Sequence, residues 1–332
     1  MSLRLSTTST KPPAPSPAAP PIPSTTHLDR VSYLFGYPIS HSLSPLLHGT
    51  IYDSLSLKYE QHLYETSSLE SCLPLMQSSK FFGASVTMPF KVSIIPHLDS
   101  LTAEAEAIGA VNTVFLLPDA GGRRRLCGTN TDCIGVREAI IQNSTEAKIE
   151  GMRGRPGMVI GGGGTSRAAI YALKRFLGCS TIYLVNREKS EVDQVIAECK
   201  SKGFGQSLQW VGSIAEAQEL EAPGVVVSAI PDFPPKTEKE IRTRKIIETI
   251  LGKGVEKGVL LEMCYSEGPN TQIAVLSRAR GWQVVEGTEA MIWQGLEQDR
   301  VWLKREVKTL PIDKVKNVIR TQVKGQIAKA KL

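Results

Sequence analysis

From residue 31 onward, short apolar runs alternate with longer stretches of helical period. Runs at 31–35, 58–64, 83–87 and 111–116 predict strands, the first closed by Gly36. Stretches at 45–55, 67–78 and 100–108 predict helices, with Pro45 in a first turn where its missing N–H is no loss. A second alternation opens near Arg155. It predicts strands at 158–160, 181–185, 224–230, 259–264 and 282–285. A helix at 165–177 sets Ala169, Ile170, Leu173, Phe176 and Leu177 on one side and ends before Gly178. Residues 288–332 predict helix throughout, apart from Pro311, and no internal repeat is evident. Such alternation predicts an α/β protein with mostly parallel sheets, and 332 residues suffice for two domains.

Composition changes this picture mainly at the ends. Residues 1–28 are Pro, Ser, Thr and Ala with few large apolar side chains, which predicts a disordered arm. The arm lacks the apolar core of a secretory signal, and a mitochondrial transit peptide would hold more arginine. The arm carries +2 and residues 311–332 carry +5. Of the net +6, that leaves −1 for residues 29–310. Basicity therefore belongs to the termini, and a solvated basic helix accounts for it better than a nucleic-acid footprint. With 41% hydrophobic and 22% charged residues and no long apolar run, a soluble, cytoplasmic protein without a membrane partner is expected. The six cysteines form no CxxC pair and no Cys/His cluster. Reduced thiols are therefore expected, with no structural zinc and no disulfide framework. Cys133, although beside Asp132, reads as a small packing residue.

Five segments carry candidate chemistry. After the strand at 158–160 comes Gly161-Gly162-Gly163-Gly164-Thr165-Ser166-Arg167, a Gly-x-Gly-Gly-x-x-Arg spacing. Glycines let the backbone approach a pyrophosphate that the following helix N-terminus stabilises; the plain alternative is a glycine-rich turn. The next strand ends at Asn186-Arg187-Glu188, where a dinucleotide fold meets the adenosine ribose. An acid there suits the 2′-hydroxyl of NAD, whereas Asn and Arg suit the phosphate of NADP; Glu188 tips the reading to NAD. In the first half, Ser42 and Ser44 precede a helix, where they face a carboxylate or, for Ser44, merely cap the helix. His41 beside them reads as structural rather than as a base. Lys91 and Asp132 close the runs Gly83-Ala84-Ser85-Val86-Thr87-Met88-Pro89-Phe90-Lys91 and Gly128-Thr129-Asn130-Thr131-Asp132.

These segments, with Gly109-Ala110-Val111-Asn112-Thr113, stand in an order and spacing that resemble the shikimate/quinate dehydrogenase family, most like its stand-alone fungal type. The resemblance runs from about Gly36 to Gln294. It implies an α/β substrate domain at 29–138, a Rossmann domain at 139–287 and C-terminal helices at 288–332 that return to the first domain. It implies that Lys91 and Asp132 are the catalytic pair and that Ser42, Ser44 and Tyr265 hold a carboxylate. Thr87, Asn112 and Gln294 would contact ring hydroxyls. Gly161, Gly163, Gly164, Thr165, Ser166 and Arg167 would meet the pyrophosphate, Asn186, Arg187 and Glu188 the ribose, and Gly287 and Met291 the nicotinamide. Departures from the family pattern are Gly49 and Ser85, each in place of Asn, Ala229-Ile230-Pro231 in place of Asn-Ala-Thr, and Glu188 in place of Thr.

The implied reaction is NAD(P)-dependent interconversion of quinate with 3-dehydroquinate or shikimate with 3-dehydroshikimate, without a metal. Alternatives are a non-catalytic sensor of the same fold and a paralogue acting on another cyclohexane carboxylic acid; Lys91 and Asp132 speak against the first. The sequence leaves open which of the pair carries the proton, and it leaves the oligomeric state open.

Overall fold

Two six-stranded sheets organise the chain in a computed structural model that describes residues 21, 24–265, 268 and 270–330, side chains at 328–330 excepted. The first sheet holds β1 (Arg30–Gly36), β2 (Tyr59–Glu65), β3 (Phe81–Val86), β4 (Ser100–Leu101), β5 (Thr113–Pro118) and β6 (Arg124–Thr129), in the order β2-β1-β3-β5-β6-β4. β1 and β3 are buried along nearly their whole length, the mark of a central strand covered on both faces. The second sheet holds β7 (Gly157–Ile160), β8 (Ile182–Val185), β9 (Leu208–Trp210), β10 (Val225–Ser228), β11 (Val259–Glu262) and β12 (Gln283–Glu286), in the order β12-β11-β10-β7-β8-β9. All its pairings are parallel. Its order reverses at β7, so the cleft beyond that strand's C-terminal end is where such sheets bind ligands.

The first sheet is mixed rather than mostly parallel. β5 runs antiparallel to both β3 and β6, because the short β5–β6 connection around Asp119–Gly122 makes a hairpin. β6 is absent from the sequence expectation because it opens on two arginines. The helix expected at 67–78 shrinks to Leu73–Gln77, and that at 100–108 to Ala103–Ile108, capped by the Thr102 hydroxyl. The helix at 165–177 divides into Gly164–Tyr171 and a wider π-turn over Ala172–Phe176, and Gly178 follows in the left-handed conformation. The C-terminal stretch breaks ahead of Pro311. Helix Gly287–Leu303 ends at left-handed Lys304, and helix Ile312–Ala330 follows.

Most of the expected arm, 1–20 with 22 and 23, lies outside the described residues. Its last residues are not loose: Lys80 Nζ donates to the carbonyls of Thr25, Thr26 and Leu28, and Leu28 is buried. At the other end, helix Ile312–Ala330 packs on helix Ser44–Ser54 of the first half, with Lys314 Nζ donating to Ser54 Oγ at 3.0 Å. Glu289, 7% exposed, is held by Lys316 and Arg320 from the same helix. Burial pushes its carboxyl upward, but the two cations win and hold it below the ordinary value.

Two glycines set the contact between these layers. Helix Gly287–Leu303 crosses helix Asp132–Gln142 at Gly135, where a Cβ would stand 2.5 Å from the Ala290 carbonyl oxygen. It crosses helix Ser44–Ser54 at Gly295, where a Cβ would meet the Leu47 side chain at 2.8 Å. This approach brings Gln294 down to the ends of β5 and β6.

Candidate active site

β5 and β6 pair at Thr113 and Thr129, and β3 and β5 at Ser85 and Thr113. The residues just beyond these register positions therefore meet at one end of the sheet. Asn112 is the hub. Its Nδ2 donates to Thr131 Oγ1 at 2.9 Å and to Asp132 Oδ1 at 2.8 Å, while its Oδ1 accepts from the Thr131 N–H at 2.7 Å. Asp132 opens a helix, where a carboxylate is favoured by the helix dipole. Lys91 rides on the short helix Phe90–Ser93, anchored by buried Phe90, and its carbonyl accepts from the Val111 N–H at 2.7 Å. Lys91 Nζ then donates to Asp132 Oδ2 at 2.5 Å, both side chains about one-fifth exposed (20% and 18%). Both carboxylate oxygens are thus engaged from opposite sides, and the ammonium keeps further hydrogens to donate into the cleft it lines.

The pair lines a cleft of about 250 Å³. Every residue expected to hold substrate lines it too: Ser42, Ser44, Thr87, Asn112, Tyr265 and Gln294. Gly287 and Met291 form part of the wall on the side of the second sheet. Ser42 Oγ accepts the Ser44 N–H at 3.2 Å, and Ser44 is the first helical residue with no capping bond of its own. The capping alternative for Ser44 is thereby set aside. Tyr265 has its phenol pushed above the ordinary value by burial and by the nearby Cys264, so it stays a hydrogen-bond donor at neutral pH. Cys133 is fully buried, and burial raises its thiol far from any nucleophilic range, as a packing residue requires.

Behind the cleft runs a buried polar chain that the sequence did not disclose. Ser85 Oγ accepts from Gln61 Nε2 and donates to Gln298 Oε1, both at 3.0 Å. Gln298 meets His48 Nε2, and His48 Nδ1 meets Asp299 Oδ2 at 2.7 Å in a fully buried pair. Burial holds the Asp299 carboxyl above its usual range against the pull of His48. Ser85 and Gln298 both line the cleft. Gln298 had a legible signal, lying one helical turn beyond Gln294 and two beyond Met291. The pairing of His48 with Asp299, 251 positions apart, had none.

A second cleft, about 340 Å³, opens at the switch point beyond β7. Gly161, Gly162, Gly163, Asn186 and Arg187 line it with Glu191 and Arg244. Gly161 has φ +125°, and a Cβ there would stand 2.9 Å from the Ala229 carbonyl oxygen. Gly163 and Gly164 face open space, so the turn leaves a bare backbone cradle at the start of helix Gly164–Tyr171. Thr165 is half-buried, and Ser166 is buried beside Gly161 with no partner for its hydroxyl. A glycine cradle, a helix N-terminus and an unpartnered hydroxyl fit a dinucleotide's pyrophosphate.

Two residues depart from the expectation. Arg167 turns from the cradle to Glu198, 2.7 Å away on helix Lys189–Ser201, because its place one turn into the helix faces that neighbour. Glu188 turns outward to Lys239 at 2.8 Å. Glu191 takes the inward place instead, its Oε2 accepting from Asn186 Nδ2 at 2.7 Å. Arg187 pairs with Glu240 at 2.5 Å. Backbone N–H groups of Thr237 and Lys236, and then Arg187, hold the Glu240 carboxyl at about 2.

Residues 34–114 match the shikimate dehydrogenase substrate binding domain family. Over 306 residues the chain is 44% identical to the quinate dehydrogenase of Emericella nidulans, covering 88% of this chain and 93% of that protein. The chain belongs to the shikimate and quinate dehydrogenase family. Among solved structures, the dehydroquinate dehydratase and shikimate dehydrogenase of S. pombe AroM is similar at 33% identity and TM-score 0.73. That match covers 87% of this chain, which spans about half (53%) of that one. Shikimate 5-dehydrogenase from Thermus thermophilus, solved with NADP(H) and shikimate, is similar at 26% identity and TM-score 0.67, covering 88% and 99%. The chain is therefore an oxidoreductase of two α/β sheets with a Rossmann-type second half, as its motifs imply.

Proposed function

We propose that the protein is an NAD(P)-dependent dehydrogenase interconverting quinate with 3-dehydroquinate, shikimate with 3-dehydroshikimate, or both, through Lys91 and Asp132. The observation that carries the reading is the convergence of Lys91, Asp132 and Asn112 on a cleft that also holds Ser42, Ser44, Tyr265 and Gln294. The similarity to a quinate dehydrogenase supports the acid, and the Thermus complex supports the pairing of such an acid with a nicotinamide. The bound nicotinamide supplies hydride acceptance and return.

The chain's own residues do the rest. Ser42, Ser44 and Tyr265 offer three hydroxyls to the substrate carboxylate and so fix one end of the ring. Asn112 and Gln294 meet the ring hydroxyls at the other end. Asp132, fixed by Asn112, orients both the reacting hydroxyl and Lys91. Lys91 stabilises negative charge as it develops on that oxygen and passes the proton to solvent, which its partial exposure permits. Gly161, Gly163, Gly164, Thr165 and Ser166 hold the cofactor's pyrophosphate, and Met291 and Gly287 border its reactive ring.

NAD is the favoured cofactor. Glu191 supplies the inward carboxylate that a ribose 2′-hydroxyl needs, and Arg187 is committed to Glu240 rather than free for a phosphate. Five of the six cysteines are buried, which fits a reducing cytoplasm. The deciding experiment is a matrix of quinate and shikimate, each with NAD and NADP, following the near-ultraviolet absorbance of reduced nicotinamide. Turnover with NAD is expected for at least one acid. Silence in every combination would defeat the assignment, and turnover with NADP alone would defeat the cofactor choice.

A further inference from the structure

We propose that Glu262 is a positioning residue for substrate binding: its carboxylate clamps the segment bearing Met263 and Tyr265, and protonation slackens that clamp. The inference rests on the reading of the cleft as a carboxylic-acid site, with Tyr265 as one of its donors.

Glu262 is the last residue of β11, 4% exposed, with Ser228 of β10 and Glu286 of β12 beside it in register. Its Oε1 accepts the Cys264 N–H at 3.1 Å, one residue before Tyr265. Its Oε2 accepts the Thr271 hydroxyl at 2.9 Å. That hydroxyl also caps helix Gln272–Ala279 by accepting the Ala274 N–H at 3.1 Å. One carboxyl group therefore ties both ends of the 263–271 segment to the sheet. Met263 and Tyr265, on the near end, both line the substrate cleft. The Met263 carbonyl oxygen would lie 2.4 Å from a Cβ on Gly287, so the segment also abuts the helix that carries Met291 and Gln294.

The charges around it oppose ionisation. Asp232, which accepts the Gln272 N–H, adds to the upward push of burial, and Glu286 borders the same small void. Burial, against the pull of the Cys264 N–H and the Thr271 and Ser228 hydroxyls, brings the Glu262 carboxyl up to about 7. Protons have a route: the void of about 10 Å³ beside Glu262 shares Glu286, Thr288 and Val323 with a groove of about 400 Å³ along the C-terminal helix. Above neutrality the carboxylate is an acceptor for every donor aimed at it. Below neutrality the acid loses the full charge that strengthens these bonds, so its hold on the Cys264 N–H and the Thr271 hydroxyl weakens.

The expected signature is in KM for the acid. In the native enzyme it rises about fivefold to tenfold from about pH 8 to about pH 6, a loss on the scale of one hydrogen bond. KM for the cofactor stays flat over the same range. Glu262→Gln keeps the size and removes the titration, so KM for the acid becomes flat with pH at the raised value. Glu262→Asp keeps a titrating carboxyl and so keeps a transition. Thermal unfolding of each variant checks that it folds. His41 lines the same cleft and is untouched by both substitutions. A transition that survives in Glu262→Gln would arise elsewhere and would overturn the clamp, as would a flat profile in an active native enzyme. Inactivity with every acid would overturn the clamp and the assigned reaction together.

Discussion

At the scale of single residues, the site is a set of polar groups whose partners are already chosen. Asp132 has one oxygen committed to Asn112 and the other to Lys91, so removing Lys91 deletes the ammonium that the proposed reaction sets beside the reacting oxygen while leaving the carboxylate held by Asn112. Lys91→Ala should lower kcat by about a hundredfold to ten-thousandfold with little change in KM, measured by steady-state kinetics. Near-normal turnover would remove Lys91 from the chemistry. Glu262 makes a separate claim on stability. Its carboxyl stands near 7 in the folded protein against 4.5 ordinarily, so the folded state binds the extra proton between those values. Stability therefore falls as pH rises through that window, by up to about 3 kcal/mol. Urea unfolding at either end of the window should show that fall in the native protein and lose it in Glu262→Gln.

At the scale of elements, function depends on how closely helix Gly287–Leu303 approaches its neighbours. Gln294 reaches the Asn112–Thr131–Asp132 cluster because Gly135 lets two helix backbones come together. A methyl group at 135 meets a carbonyl oxygen, which cannot rotate away as a side chain could. Gly135→Ala should destabilise the protein by about 1–3 kcal/mol, read by chemical denaturation. It should also raise KM for the acid by displacing Gln294. A variant with native stability and native KM would show that the crossing relaxes without consequence. Gly49, by contrast, faces open space, so nothing in its surroundings requires a glycine.

For the whole molecule, the C-terminal helix is a strap across both halves. It covers helix Ser44–Ser54 through buried Val315 and Ile319, and it supplies the two cations that hold Glu289. Replacing both cations, Lys316→Ala with Arg320→Ala, leaves a nearly buried carboxylate unpaired. The expected loss is about 3–5 kcal/mol, measured by thermal or urea unfolding, and Glu289→Gln added to the pair should recover part of it. A loss within the range of ordinary surface substitutions would mean that Glu289 finds another partner.

The chain's local pattern was sufficient for most strands and for the segments that line the two clefts. Central strands are continuous apolar runs, and glycine turns and hydroxyl-rich turns are local in sequence. What failed was local conflict with long-range packing. The β6 strand begins with arginines whose guanidinium groups are satisfied elsewhere, Arg124 by carbonyls of Ser78 and Phe81. Arg167 and Glu188 lie in the right segments but turn toward Glu198 and Lys239, partners that spacing does not reveal. Sequence alone thus determined the alternation of elements, the family and the residue types at the site, because each is written in neighbouring positions. Only tertiary structure decided that the first sheet is mixed, that Glu191 lines the cleft beyond β7, and that His48, Gln298 and Ser85 join behind the first cleft. Those depend on side-chain directions and on contacts between segments far apart in the chain, which the sequence pattern does not encode.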